Sequence, residues 1–262
     1  MINIDMTGKV VFLTGSAGTI GSKAVEVFAK AGAAVYFTDI AGDRGTALEK
    51  RLQSDGLNVN FIVGDSTSDS DCKCVVDIIF DREGHIDALI NNVGWGGGPD
   101  KKVPYPDYDE ATMLKVISIC FDGVYSFTRH ILPKMMENGG GRIVNTGSVA
   151  GFRAPLMLQT PYTSTKAAIM NITMTWASRY GKYGITVNSV IPGSVMNDQI
   201  KDAIWGSKEK EDSMFAHIPA GRIGQPEDIA NAMLFLCSPL ASYVNGCMLN
   251  VDGGWSSGYA LG

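Results

Sequence analysis

Short apolar stretches alternate with longer amphipathic stretches along the chain. The apolar stretches are rich in β-branched side chains, which is typical of buried strands. They lie at residues 9–14, 33–38, 59–63, 86–90, 142–146, 185–191 and 247–251. The amphipathic stretches have helical spacing and lie at residues 22–30, 43–54, 69–82, about 109–137, 163–180, 197–215 and 226–237. The pattern therefore predicts strands and helices in alternation.

Strands that alternate with helices at this spacing predict a parallel sheet. Each connection between parallel strands is a right-handed crossover, and the helices then cover both faces of the sheet. No linker, repeat or low-complexity segment divides the chain. We therefore expect one α/β domain over residues 1–262, doubly wound around a parallel sheet of about seven strands.

A glycine-rich turn connects the first predicted strand to the first predicted helix. It reads Gly15-Ser16-Ala17-Gly18-Thr19-Ile20-Gly21. Glycines there let backbone N–H groups approach a ligand, and the start of the helix favours an anion such as pyrophosphate. Asp39 ends the next strand, where a carboxylate can accept hydrogen bonds from both ribose hydroxyls and repels a 2′-phosphate. A glycine-requiring turn and a strand-ending Asp are the simpler explanations, but their ordered combination favours a site for NAD rather than NADP.

Tyr162 and Lys166 are four residues apart in a predicted helix, so their side chains leave the same face about one turn from each other. A cation beside a phenol favours the phenolate and suits the phenol for general acid–base chemistry. This spacing is common by itself, and an exposed helix with a solvated Lys explains it equally well. Other parts of the chain must decide between the two interpretations.

Composition narrows the possible partners. Apolar residues make up 45% and charged residues 19% of the chain, which is typical of a globular protein, and the net charge is -5. Without a basic stripe, we expect no nucleic acid and no membrane surface among the partners. We also see no signal peptide or membrane-spanning helix.

Five scattered cysteines favour a reducing, cytoplasmic location. Cys72-Lys73-Cys74 has no second Cys or His pair nearby, so we predict no metal site.

The ordered motifs resemble those of the short-chain dehydrogenase/reductase family in its short, single-domain form. The resemblance covers nearly the whole chain. It rests on Thr14-Gly15 with Gly21, Asp39, Asp65, Asn91-Asn92-Val93-Gly94, Ser148, Tyr162 with Lys166, Pro192-Gly193, the stretch from Gly221 to Asp228, and Val251-Asp252-Gly253-Gly254. Each motif is weak by itself, but together and in this order they are specific.

The resemblance implies a Rossmann-type fold and the family's catalytic residues. Tyr162 would be the general acid or base, Ser148 would bind the substrate oxygen, and Lys166 would bind the nicotinamide ribose and favour the phenolate. The implied cofactor-binding residues are Gly15, Ala17, Gly18, Thr19, Ile20, Gly21, Asp39, Ile40, Asp65, Ser66, Asn92, Val93, Gly94, Tyr162, Lys166, Pro192, Gly193 and Val195. Two alternatives remain open: a role for Asn91 and Asn92 chiefly in joining neighbouring strands, and a role for Asp65 as a helix cap.

Three features depart from the family pattern. Thr19 stands where members usually carry Gly, and the third glycine of the turn is Gly18 instead. Cys120 stands where members usually carry an Asn that holds a water in the proton relay, and a thiol is a poor substitute for that amide. The span from Ser148 to Tyr162 is one residue longer than we expect.

Apolar side chains dominate the predicted substrate pocket. They are Trp95, Ala150, Leu156, Met157, Met196 and Trp205, with residues 195–217 as a lid. Several of them are equally well explained as lid or interface core. The remainder favours a hydrophobic secondary alcohol, or a cyclic diol, and its ketone, although Arg153 and Lys201 leave hydroxy acids open.

Two other functions remain open at this stage. One is a fatty-acid type 3-oxoacyl reductase that uses NADP(H), and the other is a cofactor-binding regulatory protein in which Cys120 has weakened catalysis. By the same resemblance we expect a homotetramer that assembles through the two long helices and the C-terminal strand region.

Overall fold

The computed structural model describes residues 4–96, 109–153, 160–204, 207–216 and 218–257. These residues contain one parallel sheet of seven strands, in the order β3-β2-β1-β4-β5-β6-β7. The strands are β1 (Val10–Thr14), β2 (Ala34–Asp39), β3 (Val59–Val63), β4 (Ala88–Asn91), β5 (Gly141–Thr146), β6 (Ile185–Pro192) and β7 (Met248–Val251). The strand order reverses beside β1, and a crevice opens there at the carboxyl ends of the strands. The predicted fold class is confirmed.

The helices agree with the predicted segments to within a few residues. They are α1 (Thr19–Lys30), α2 (Gly42–Ser54), α3 (Asp69–Glu83), α4 (Glu110–Ile117), α5 (Gly123–Glu137), α6 (Thr160–Tyr180), α7 (Asp198–Ile204), α8 (Lys208–Phe215) and α9 (Pro226–Cys237). Within the described ranges, no helix is long and apolar enough to cross a membrane.

Hydrophobic layers cover both faces of the sheet. Leu13 of β1 belongs to the layer that contains Phe28 of α1 and Met233 of α9. The neighbouring Phe12 points to the other layer, where it meets Phe127 of α5 with the ring centroids 5.2 Å apart. Because successive strand residues face opposite sides, a strand covered on both sides is apolar throughout.

The long helix predicted at 109–137 contains one π turn, at Ser118–Asp122, between α4 and α5. Asp109 caps its start by accepting a hydrogen bond from the Thr112 backbone N–H at 2.9 Å. A π turn inserts one extra residue into a helix and redirects the side chains within it. Cys120 lies in this turn and is fully buried.

A buried polar network joins the central strands to the helices behind them. The Asn91 amide donates to Asn145 Oδ1 at 2.9 Å and to Thr128 Oγ1 at 3.0 Å. The Asn145 amide in turn donates to Thr173 Oγ1 at 2.9 Å. Asn91 therefore joins strands, as one of the two interpretations from the sequence proposed, and it holds the ends of β4 and β5 in register.

The predicted lid contains two helices, α7 and α8. Residues 205–206 between them and residue 217 lie outside the described residues. Upstream of α9, Arg222 Nη1 and Nη2 donate to the two carboxylate oxygens of Asp228 at 2.7 and 3.0 Å. The guanidinium holds the pKa of the Asp228 carboxyl below its usual value. The segment that follows the lid is thus tied to the start of α9.

Candidate active site

The glycine turn packs tightly at the carboxyl end of β1. Gly15 has a φ of +62°, and a Cβ atom there would lie 2.7 Å from the Val93 Cα atom. A Cβ atom at Gly21 would lie 2.3 Å from the Gly15 carbonyl oxygen. These two positions require glycine, whereas Gly18 has an extended backbone and its Cβ would meet nothing closer than 3.5 Å. The turn therefore keeps its close packing without a glycine at Thr19.

The start of α1 suits an anion. It has no acidic residue in its first turn and no side-chain cap, so its first backbone N–H groups remain available beside the cleft. The helix dipole adds a partial positive charge at the same place. A dinucleotide pyrophosphate fits this donor set.

Asp39 lies beside the glycine turn at the end of β2. Its two carboxylate oxygens accept hydrogen bonds from the backbone N–H groups of Ala17 and Ala41, both at 2.9 Å. Ile40 and Arg44 line the cleft next to it. The carboxylate is thus held in one orientation, with lone pairs left for ligand hydroxyls.

A smaller recess of about 540 Å³ lies beyond Asp39 and is lined in part by Asp65 and Ser66. Asp65 Oδ1 accepts hydrogen bonds from the Thr67 backbone N–H at 2.8 Å and the Thr67 hydroxyl at 2.7 Å. The cap of α3 is Ser68, whose hydroxyl oxygen accepts from Asp71 N. The interpretation of Asp65 as a helix cap is therefore wrong, because its side chain closes the turn at Thr67, before the cap residue Ser68.

Cys72 supports the floor of this recess. Its one thiol proton is shared between the backbone oxygens of Ser66 at 3.5 Å and Asp65 at 3.7 Å. Burial raises the pKa of the Cys72 thiol to about 12, so the thiol stays protonated and remains a donor. Among the described residues, no group of three or more His, Cys, Asp or Glu side chains is placed to hold a metal ion.

Ser148, Tyr162 and Lys166 line the main cleft together, a space of about 1640 Å³. The Lys166 side chain is almost fully buried, and its Nζ donates to the Thr146 carbonyl oxygen at 2.8 Å. The same Nζ lies 5.7 Å from the centroid of the Tyr162 ring. Ser148 precedes a short 3₁₀ turn, and its hydroxyl oxygen accepts from the Ala150 N–H at 3.1 Å. A phenol, a hydroxyl and an ammonium therefore share one opening.

Asn92 links the end of β5 to the glycine turn. Its amide nitrogen donates to the Gly15 carbonyl oxygen at 3.0 Å, and its oxygen accepts from the Thr146 hydroxyl at 3.3 Å. Asn92 thus joins strand ends and also lines the cleft. Next to it, a Cβ atom at Gly94 would lie 3.3 Å from Lys166 Nζ.

Most of the predicted residues line the cleft or its recess. Those in the main cleft are Gly15, Gly18, Thr19, Ile20, Asp39, Ile40, Asn92, Val93, Gly94, Trp95, Ser148, Tyr162, Lys166, Pro192, Gly193, Val195 and Met196. Ala17, Gly21 and Ala150 do not line it: Ala17 holds Asp39, Gly21 is buried under the turn, and Ala150 is buried behind Ser148. Leu156, Met157 and Trp205 lie outside the described residues.

Several cleft residues escaped prediction. They are Arg44, Gly96, Lys115, Ile119, Thr146, Gly147, Val149, Ser194, Ile218 and Trp255, whereas Asn197, Ile200, Ser207 and Glu209 were predicted only as part of the lid at 195–217. Thr146 ends β5 and Ser194 follows the end of β6, so the rule that ligands bind at the carboxyl ends of strands would have found both. Lys115 and Arg44 carry no comparable signal, because a cation on a helix is usually solvated.

Comparison with known proteins shows the class. A family model described as "Enoyl-(Acyl carrier protein) reductase" matches residues 15–256. The chain is 35% identical to a 7alpha-hydroxysteroid dehydrogenase of Escherichia coli (strain K12), over 96% of both chains. It is 33% identical to the 3-oxoacyl-(acyl-carrier-protein) reductase FabG of Aquifex aeolicus, over 97% of this chain and 99% of that one. This is a nicotinamide-dependent class of oxidoreductases, and the chain belongs to the short-chain dehydrogenase/reductase family.

Solved structures agree with this assignment. A 7 alpha-hydroxysteroid dehydrogenase complexed with NADH and 7-oxo glycochenodeoxycholic acid has a TM-score of 0.87 and 34% identity, with 96% of each chain covered. A gluconate 5-dehydrogenase from Burkholderia cenocepacia in complex with NADP and tartrate has a TM-score of 0.88 and 28% identity, with 98% of each chain covered. The same fold therefore accommodates either nicotinamide cofactor and chemically different substrates.

Proposed function

We propose that this protein is an NAD-dependent oxidoreductase that interconverts a hydrophobic secondary alcohol, or a cyclic diol, with its ketone. One observation carries the proposal: Ser148, Tyr162 and Lys166 open into the same cleft as Asp39 and the glycine turn. A reacting carbon and a dinucleotide can therefore occupy one continuous space.

The nicotinamide, when bound, accepts or supplies the hydride. Tyr162 takes the hydroxyl proton during alcohol oxidation and returns it to the carbonyl oxygen during reduction. The Ser148 hydroxyl donates a hydrogen bond to the same oxygen and stabilises the negative charge that develops there. The buried Lys166 ammonium is oriented by the Thr146 carbonyl, lies 5.7 Å from the centroid of the Tyr162 ring, and would bind the nicotinamide ribose.

Asp39 supports NAD as the cofactor. The carboxylate lies beside the glycine turn, where it can accept hydrogen bonds from ribose hydroxyls and repels a 2′-phosphate. Arg44 lines the same cleft and favours NADP, because a guanidinium attracts the 2′-phosphate. Asp39 favours NAD more strongly than Arg44 favours NADP, because two backbone N–H groups hold the Asp39 carboxylate in place.

The side chains near Tyr162 and Ser148 support an apolar substrate. Val149, Met196, Ile200, Ile218 and Trp255 line the same cleft as Tyr162 and Ser148. Polar groups from the lid segment, Asn197 and Glu209, face the same space. A ring system with one reacting hydroxyl and a polar group at its far end fits this lining, and hydroxysteroids, substrates of the 35% identical relative by its name, have that character.

We expect the wild-type protein to oxidise cyclic secondary alcohols with NAD. The panel contains cyclohexanol, trans-1,2-cyclohexanediol and a 7α-hydroxylated bile acid, each tested with NAD and NADP by the absorbance of the reduced cofactor. The bile acid should react best, because it buries the most apolar surface, and NAD should exceed NADP by about tenfold or more in kcat/KM.

The same panel tests the two competing functions. The FabG relative favours a 3-oxoacyl reductase, so a 3-oxoacyl thioester with NADPH is included. Turnover of the thioester alone would replace our proposal with that activity. Cofactor binding by calorimetry without turnover of any compound would instead support the regulatory, cofactor-binding alternative.

We also propose that the protein is a homotetramer assembled through α5, α6 and the C-terminal strand region. Tyr125 of α5 is 46% exposed, Met174 of α6 is 48% exposed, and the Tyr125 ring lies 6.3 Å from that of Trp176. Light scattering should give about four times the 28.0 kDa chain mass, and Tyr125→Glu should lower it. A monomeric wild type would contradict the proposal.

The cytoplasmic location stays a prediction, supported by five free thiols and testable by cell fractionation.

A further inference from the structure

The Cys120 thiol makes two hydrogen bonds to the backbone of a single residue, Trp95. The Trp95 N–H donates to Cys120 Sγ at 3.3 Å, and Sγ donates to the Trp95 carbonyl oxygen at 3.4 Å. The π turn at Ser118–Asp122 contains Cys120 and places its fully buried side chain against the segment that follows β4. A π turn at such a position is frequently associated with a functional site.

The same helical segment makes a second contact with Trp95, this time with its side chain. Lys115 of α4 places its Nζ 5.2 Å from the centroid of the Trp95 ring. An ammonium over the face of an indole is attracted by the ring quadrupole. The thiol therefore holds the backbone of Trp95 while Lys115 holds its ring, and both groups lie within one stretch of helix.

Trp95 needs such support because its own chain neighbours provide little. Gly94 and Gly96 flank it, and glycine leaves the backbone more conformational freedom than any other residue. All three residues line the main cleft, and Gly94 lies directly beside Lys166 Nζ. A shift of this segment would move a large aromatic wall at the catalytic end and leave Asp39 and Asp65 in place.

We propose that Cys120 is a positioning residue that holds Trp95 as a wall of the substrate half of the cleft, so that Trp95 limits the size of the substrate. This inference rests on the proposed function, because it assigns that half of the cleft to the alcohol. A thiol has one proton to donate, and Cys120 donates it to the Trp95 carbonyl. The side chain of Cys120 is thus engaged with the Trp95 backbone, and its role is to fix the wall.

Kinetics of matched variants separate positioning from proton relay. Cys120→Ala should raise the KM for the best alcohol of the panel about tenfold, which corresponds to one net hydrogen bond, with kcat and its pH profile unchanged. Cys120→Ser keeps a donor and an acceptor and should restore most of the affinity. Cys237→Ala is the control, because it removes another buried thiol, in α9, that does not line the cleft. A lower kcat with a displaced pH profile would overturn the proposal in favour of a relay role.

A double-mutant cycle tests whether Cys120 acts through Trp95. In a Trp95→Ala background, Cys120→Ala should no longer change KM, because the wall that it positions has been removed. Trp95→Ala itself should improve kcat/KM for the bulkiest alcohol relative to cyclohexanol. Equal effects of Cys120→Ala in both backgrounds would contradict the inference.

Fluorescence gives a readout that does not depend on turnover. Acrylamide quenching of tryptophan fluorescence is measured for four proteins: the wild type, Cys120→Ala, Trp95→Phe and the double variant. Cys120→Ala should increase the quenched fraction only when Trp95 is present, because a released indole becomes more accessible. Unchanged quenching would overturn the inference even for an active enzyme. Increased quenching in a protein that turns over no alcohol would support the positioning of Trp95 by Cys120 and refute the proposed function alone.

Discussion

Replacing Tyr162 with Phe should lower kcat by about 10²- to 10⁴-fold, the usual contribution of a positioned general acid or base. The substitution removes only the hydroxyl group. The ring that faces Lys166 Nζ at 5.7 Å remains, and so does the hydrogen bond from Nζ to the Thr146 carbonyl oxygen. NADH should therefore still bind the variant, at most about tenfold more weakly, which corresponds to one net hydrogen bond.

Turnover of the best panel alcohol and fluorescence titration with NADH measure the two quantities separately. Tyr180→Phe is the matched control, because it makes the same chemical change at the other end of α6. It should leave both quantities unchanged. Wild-type turnover by Tyr162→Phe would assign the proton transfer to another group and refute the proposed mechanism.

Replacing Asp39 with Asn should shift the cofactor preference toward NADP by about tenfold to a hundredfold. Like charges 4 Å apart repel by about 1–4 kcal/mol, depending on the local dielectric, and this repulsion disappears with the carboxylate. Arg44, which lines the same part of the cleft, then attracts the 2′-phosphate without an opposing charge. NAD should also bind less tightly, because an amide has one oxygen acceptor where the carboxylate has two.

The ratio of kcat/KM for NAD and NADP measures this shift. Asp43→Asn removes the same charge from the first turn of α2, at an exposed position outside the cleft, and should leave the ratio unchanged. If both variants shift the ratio equally, general charge is responsible. If neither does, Asp39 does not select the cofactor.

Much of the fold follows from local pattern. The uninterrupted apolar run of β1 predicts a strand that is buried on both sides. In the structure, Phe12 and Leu13 face opposite hydrophobic layers. The π turn at Ser118–Asp122 was not predicted, because the helical pattern of 109–137 continues through it. An extra residue in a helix leaves little trace in hydrophobic spacing, and its effect is a changed direction of Cys120.

The candidate site divides in a similar way. Gly15, Asp39 and Tyr162 with Lys166 carry their signal in short motifs, and the structure brings them to one cleft. Their chemical roles stay predictions until the variants are measured. The interpretation of Asp65 as a helix cap is wrong, because a turn and a cap use the same residue types and differ only in which backbone N–H donates to the side chain.

The sequence by itself determined the family, the parallel α/β fold and the residues expected to act, because each depends on periodicity or on motifs of closely spaced residues. Only the tertiary structure decided that Thr146 orients Lys166, that Asn92 joins the strand ends to the glycine turn, and that Cys120 holds Trp95. These contacts join residues that are between 20 and 77 positions apart. Their geometry is set by strand register and by one π turn, which no local pattern encodes.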